Sequence, residues 1–302
     1  MNALFAASRT AYSLAVSLSL CGLVLGGGAC SRDEAGDEMT GEGLQGTDNA
    51  ALHRLENGCI VFAHQSVGAD ILEGVAELGR ATAGLRVTVK DAGQLRDDSG
   101  PGIYETRVGR NGDPHGKIDD FARLLDAGAG RKADIAMMKL CYVDVDEHTD
   151  VEALFAHYRT TLAGLRERCP RVTFVHITMP LQGPPDGAVS KARQLAKALL
   201  GRGRLTAAMN ANRERFNELM RREYGAEALF DLARIESTRP DGSVAFLALD
   251  GERVPRLAAE YTDDGGHLNS RGRRVAARAF LELLARLLAE GRATAPVEQA
   301  GN

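Results

Sequence analysis

The chain has no tryptophan among its 302 residues, and aromatic residues make up only 5% of it. A broad platform for stacking sugars or bases is therefore not expected. An excess of charge of either sign is small as well. The net charge is -4, Arg9 is the only charged residue before position 30, and over 31–50 Arg32 stands against Asp33, Glu34, Asp37, Glu38, Glu42 and Asp48. That leaves the rest of the chain neutral, without an electrostatic footprint for nucleic acid. Cysteine is sparse and forms no CxxC pair. Beyond Cys21 and Cys30 there are Cys59, Cys141 and Cys169, an odd number, so a disulfide framework is not expected in a domain of this size. Cys59 opens an apolar run and reads as a small buried hydrophobe. No His or Cys pair has the short spacing of a zinc motif, so no metal is expected, and no motif asks for a cofactor.

What is present begins at the N-terminus. Residues 10–29 carry no charge, with an apolar centre from Ala11 to Leu25 and a small-residue end, Gly26-Gly27-Gly28-Ala29-Cys30. A weakly basic start, an apolar stretch and a small-residue end are the three parts of a secretory signal. The last of these resembles the lipobox of bacterial lipoproteins, with Gly27 where Leu is usual. The resemblance implies a signal peptide over 1–29, lipidation of Cys30, and a membrane-anchored protein of the cell envelope. Ordinary secretory cleavage and an uncleaved anchor, 20 uncharged residues being just enough to span a bilayer, are the alternatives. Residues 31–50 are acidic, rich in Gly and without apolar periodicity, and read as a flexible tether. A domain is expected over 51–292, with a disordered tail over 293–302.

Within that domain, apolar runs of strand length alternate with amphipathic helical stretches. Strands are expected at 59–63, 86–90, 133–140, 172–178 and 229–232. Helices are expected at 67–83, 117–127, 151–168, 188–200, 206–224 and 270–290, the last capped by Ser270. Residues 92–116 read as one long polar loop, of the kind that is usually functional. Residues 244–249 and 252–257, joined by Asp250-Gly251, read as a hairpin. The alternation predicts an α/β fold, with a parallel five-stranded sheet between helical layers and ligands at the carboxyl ends of the strands.

Two segments carry candidate chemistry. His64-Gln65-Ser66 follows the first strand directly, so Ser66 opens a helix. Its hydroxyl is placed either to act as a nucleophile, with its amide as an oxyanion donor, or merely to cap the helix. Asp263-Asp264-Gly265-Gly266-His267 precedes the last helix. A carboxylate three residues before a His can fold back on the imidazole and leave the other ring nitrogen free as a base. A free imidazole titrates near about 6.5, which suits general base work. An Asp- and Gly-rich turn with a surface His is the plainer reading.

A Ser after strand one together with D-x-x-H before the final helix resembles the SGNH (GDSL-like) hydrolases. The similarity runs from about Gly58 to Glu290, and its most specific part is the D-G-G-H-L-N-S-R-G run. It implies a three-layer α/β/α sandwich and a triad of Ser66, Asp264 and His267. It also implies an oxyanion hole completed by a Gly amide, for which Gly112 is the match, and by an Asn ahead of Asp144, where this chain has Val143. Gln65, Asn111 and Lys139 are the substitutes at hand, and His64-Gln65 stands where the family has Gly-Asp. His64, Gln65, Asn111, Asp113, Lys139 and Asp144 are expected around one polar crevice, with His115 and His148 near its rim. Asn210, Asn212, Asn217, Arg213 and Arg215 read as a solvated helix face, and His176 as a satisfied core His. The expected activity is an exported serine esterase acting on a small-molecule or glycan ester, with acylated glycans or lipids of the envelope as substrates. A non-catalytic binding module and a scaffold lipoprotein are the alternatives.

Overall fold

The computed structural model describes residues 54–82, 85–96, 98–184 and 202–294. The expected helix over 188–200, the segment 1–50 with Cys30, and the tail after residue 294 lie outside them.

Six parallel strands form one sheet. They are β1 (Cys59–His64), β2 (Val89–Asp91), β3 (Gly102–Arg107), β4 (Ile135–Met138), β5 (Thr173–Ile177) and β6 (Leu229–Phe230), in the order β2-β3-β1-β4-β5-β6. The helices are α1 (Val67–Ala81), α2 (Pro114–Leu124), α3 (Val151–Arg168), α4 (Arg202–Tyr224), α5 (Leu232–Ser237) and α6 (Ser270–Thr294). A separate antiparallel hairpin pairs β7 (Phe246–Leu249) with β8 (Glu252–Pro255) across Asp250-Gly251.

Successive residues of a strand face opposite sides, and here both sides are covered. Ile60, Phe62, Ile103, Ile135, Met137, Val175 and Ile177 pack under α1 and α6. Val61, Ala63, Tyr104, Ala136, Met138 and Phe174 pack under α2, α3 and α4. A strand buried on both faces reads as a continuous apolar run, which is why β1, β4 and β5 stand out in the sequence. The sheet nonetheless has six strands rather than the five expected. The extra one, β3, lies inside what reads as the long polar loop, because after Ile103 and Tyr104 it continues as Glu105-Thr106-Arg107. Those polar residues lie at the strand's carboxyl end, where the layers open.

Helix boundaries shift for local reasons. α2 starts three residues before the expected 117, because the Asp113 side chain accepts from the Gly116 amide and Pro114 fits the first turn. α6 is capped by Asn269, whose Oδ1 accepts from the Gly272 amide at 3.0 Å, rather than by Ser270. The chain leaves β1 toward β2 and β3 on one side and returns through α2 to β4 on the other. This reversal opens a crevice at the carboxyl end of β1.

Candidate active site

Ser66 occupies the turn from β1 into α1 with φ 49° and ψ -111°. A non-glycine residue held there is strained by about 1–3 kcal/mol. Two residues on, the turn is too tight for a side chain: a Cβ on Gly68 would lie 2.4 Å from His64 Cβ. The hydroxyl does not cap the helix. It points instead to His267, with Oγ 2.6 Å from Nε2. The cap reading of Ser66 is thereby replaced by a Ser–His pair joined across 201 residues of sequence.

The His267 loop is built around Asp264. Its Oδ2 lies 2.6 Å from His267 Nδ1, and its Oδ1 accepts from the backbone amides of Gly266 and His267, both at 2.8 Å, and from the Thr262 hydroxyl at 3.3 Å. Burial alone would raise the Asp264 pKa, but the His267 amide, the imidazole and the Gly266 amide outweigh it and hold it at about 2. An ionised carboxylate only accepts, so Nδ1 carries the ring proton and Nε2 is free to take one from Ser66. Gly265 has φ 92°, and a Cβ on Gly266 would meet the Tyr142 hydroxyl at 2.7 Å, so the Gly-Gly pair is needed to fold the carboxylate back. Asp70, one turn into α1 from Ser66, accepts the Leu268 amide at 3.0 Å and ties this loop to the serine's own helix. Burial raises the Asp70 pKa.

The remaining expected site residues divide. Gln65 donates its side-chain amide to Val108 O at 2.9 Å and Gly109 O at 2.7 Å, so it fastens the loop after β3 instead of facing substrate. The Gly112 amide, expected in the oxyanion hole, donates to Asp144 Oδ1 at 2.9 Å. Lys139 is fully buried, its Nζ 3.1 Å from Leu140 O and 3.5 Å from Cys141 Sγ, and burial lowers its pKa. His64 is also buried beneath the crevice rather than lining it. Its Nε2 is 2.8 Å from Glu105 Oε2 but off the line of a hydrogen bond. Burial, then Lys139 and Arg107, push its pKa down to about 3, so it stays neutral. Asp144 is buried in an ion pair with Lys117, a residue that carries no motif in the sequence. Asp113 caps α2. His115 packs at a tilt against His157, with ring centroids 4.9 Å apart, and His148 lies beside Glu147, neither of them against the Ser–His pair. Asn111 is exposed, with its Oδ1 accepting from Lys117 at 2.9 Å. No acceptor among the described residues takes the Ser66 amide.

A second polar group, expected to be solvated, is buried. Asn210, Arg213 and Asn217 are 0% exposed. After β5 the chain runs irregularly over 178–184, and its amides need partners. Asn217 bonds both the amide and the carbonyl of Met179, at 2.6 and 3.0 Å. Asn210 does the same for Gln182, at 3.1 and 2.7 Å. Arg213 holds Tyr142 O at 2.7 Å and Asn210 Oδ1 at 2.7 Å, and Glu236 accepts the Leu181 amide. The signal was available: residues 210, 213 and 217 repeat at helical spacing on the face that also carries Phe216, Met220 and Tyr224. Arg215 and Asn212 face outward as expected, with Arg215 paired to Glu152 and Asn212 bonded to Asp146 O. His176 is a core His, stacked on Tyr224 at 3.6 Å, and burial lowers its pKa to about 3. Cys59, Cys141 and Cys169 are free thiols. Among the described residues no group of three or more His, Cys, Asp or Glu is placed to hold a metal, and no helix is long and apolar enough to cross a membrane.

No protein-family model matches the chain, and no curated protein matches it. Solved structures do. A protein described as a GDSL-like lipase from Parabacteroides merdae is 12% identical with a TM-score of 0.40, over 76% of this chain and 96% of that one. A lipolytic protein of the G-D-S-L family from Desulfitobacterium hafniense, so described, is 9% identical with a TM-score of 0.35, over 75% and 99%. The CTD of the Drosophila Oskar protein is 12% identical with a TM-score of 0.37, over 80% and 97%. Likeness at this level carries no argument about activity. The α/β/α architecture and the arrangement at Ser66 are properties of this chain's own sheet and loops.

Proposed function

We propose that the protein is a serine esterase of SGNH type, exported and held at the bacterial cell envelope through a lipid on Cys30, with acylated envelope glycans or lipids as its substrates. The observation that carries this reading is the unbroken line Ser66 Oγ, His267, Asp264, with both links at 2.6 Å. Ser66 Oγ attacks the ester carbonyl while Nε2 takes its proton, and Asp264 stabilises the imidazolium. The Ser66 amide, unclaimed within the described protein, donates to the oxyanion. Collapse expels the alcohol, which receives its proton from His267. Water, activated by the same nitrogen, then releases the acid and restores Ser66. Address and substrate class rest on the apolar stretch before Cys30 and on the resemblance.

A binding module that uses the same crevice is the second reading. It is favoured by the inward commitment of the Gly112 amide, since losing one oxyanion donor typically costs about 100–1000-fold in rate. Hydrolysis of p-nitrophenyl acetate and butyrate by the full chain separates the two. We expect turnover in the wild type, and losses of at least about 1000-fold in Ser66→Ala and in His267→Ala. No turnover in the wild type, or turnover that survives either substitution, transfers the reading to the binding module. Radiolabelled palmitate incorporation that stops in Cys30→Ala tests the anchor.

A further inference from the structure

We propose that the buried Lys117–Asp144 ion pair is a positioning device, which turns the side-chain amide of Asn111 toward the crevice as the second donor to the oxyanion. This rests on the esterase reading. The donors that sequence would nominate are spent elsewhere: Gly112 N on Asp144, Gln65 Nε2 on two carbonyls, and Lys139 Nζ on Leu140 O and Cys141 Sγ. Asn111 differs from them. Its oxygen is claimed from inside by Lys117 Nζ at 2.9 Å, and the residue is exposed. With Oδ1 fixed inward, the two N–H groups of Nδ2 lie on the other side of the amide.

Lys117 has three protons and three acceptors: Asp144 Oδ1 at 2.8 Å, Asp144 Oδ2 at 2.7 Å and Asn111 Oδ1. Asp144 also accepts the amides of Gly112 at 2.9 Å and Cys141 at 2.6 Å. One carboxylate thus clamps the loop after β3 to the turn after β4. Gln65, the neighbour of Ser66, lies between them, bonded to Gly109 on one side and facing Cys141 Sγ on the other. The loop closes directly on the lysine: Gly109 has φ 55°, and a Cβ there would meet Lys117 Cγ at 2.6 Å. Stability is a poor explanation for this arrangement. A buried ion pair is often no more stable than apolar residues of similar volume, and a cation in the first turn of α2 opposes the helix dipole. Orientation of Asn111 accounts for the lysine's third bond, and the two bonds to Asp144 fix the ammonium that makes it.

The test uses full-length Asn111→Ala and Asn111→Asp, the second of which keeps the acceptor for Lys117 but removes the donors. Steady-state hydrolysis of p-nitrophenyl butyrate is read beside Ser66→Ala. We expect kcat to fall by about 100–1000-fold in both, with KM within a few-fold. The doubly neutral Lys117→Met with Asp144→Asn should fold, by far-ultraviolet circular dichroism, yet lose at least about tenfold in kcat at unchanged KM. A double variant that melts lower with kcat intact makes the pair merely structural and overturns the proposal. Asn111→Ala at wild-type kcat, beside a dead Ser66→Ala, also overturns it and leaves the esterase standing. A wild type without turnover overturns both.

Discussion

Two non-glycine residues among those described have positive φ, Asp250 and Ser66. Asp250 shares a two-residue hairpin turn with Gly251, where the twist of the strands favours that conformation. Ser66 has no such excuse, since it could cap α1 from an ordinary extended conformation and does not. Its strain is what carries the hydroxyl away from the helix amides and onto His267. The strain is measurable apart from activity. Ser66→Ala and Ser66→Gly both remove the hydroxyl, but only glycine relaxes at φ 49°. Relief of about 1–3 kcal/mol, less the roughly 0.5–1 kcal/mol that glycine costs through the unfolded chain, should leave Ser66→Gly about 1 kcal/mol more stable than Ser66→Ala. Urea midpoints would show it, and a Ser66→Gly midpoint below that of Ser66→Ala by the full glycine cost would mean that the turn is unstrained. Residue chemistry also marks the limit of what sequence could reveal at the site. Asp264 and His267 are legible as a pair because D-x-x-H fixes a local turn, whereas Ser66 joins them in the sequence only through the resemblance. The committed state of Gly112, Gln65 and Lys139 is not legible, because each is spent on a partner brought close by the fold alone.

At the scale of elements, the helix that follows Ser66 and the last helix are one packed unit. α1 presents Gly74 to α6, where a Cβ would stand 2.5 Å from Arg273 O and 2.8 Å from Ala277 Cβ. Backbone cannot yield as a side chain can, so Gly74→Ala should cost about 1–3 kcal/mol and lower the melting temperature by roughly 2–4 °C for each. Gly79, on the same helix, has nothing within 4 Å of its hypothetical Cβ. Gly79→Ala should therefore raise stability by about 0.4–1 kcal/mol. A matched gain in both variants would mean that helix propensity, not the approach of α6, governs α1. The same contrast explains which elements sequence discloses. β1, β4 and β5 are covered on both faces and show as apolar runs. β3 is apolar only at Ile103 and Tyr104 before it enters the polar end of the sheet, and so it hides in a loop. On α4, the buried asparagines look solvated until the irregular backbone of 178–184, which they satisfy in place of a strand, is seen beside them.

The molecule as a whole buries a polar layer next to its crevice, and one member of that layer couples folding to pH. Glu236 is 2% exposed and takes the Leu181 amide. Burial raises its pKa to about 8, against the opposing pull of the Leu181 amide, Lys139 and Arg213 and with a further push from Asp231. The unfolded chain releases this proton near the ordinary glutamate value of 4.5, whereas the folded protein keeps it to about 8. Between those values the native state binds more protons, so the sign is fixed: on this group's account stability falls as pH rises through that window. Glu236→Gln keeps an acceptor for Leu181 and an N–H in place of the carboxyl proton, and it has nothing to ionise. It should match the wild type near pH 5 and become progressively more stable than it toward pH 8, by up to about 4 kcal/mol. Denaturant midpoints for the pair, taken across pH 5 to 8, read this directly. A constant difference would mean that Glu236 is ionised in the folded protein, with Arg213 and Lys139 compensating its charge. A difference that widens with pH would mean that the fold keeps Glu236 as a neutral acid up to about pH 8, its buried surroundings favouring the proton over the charge.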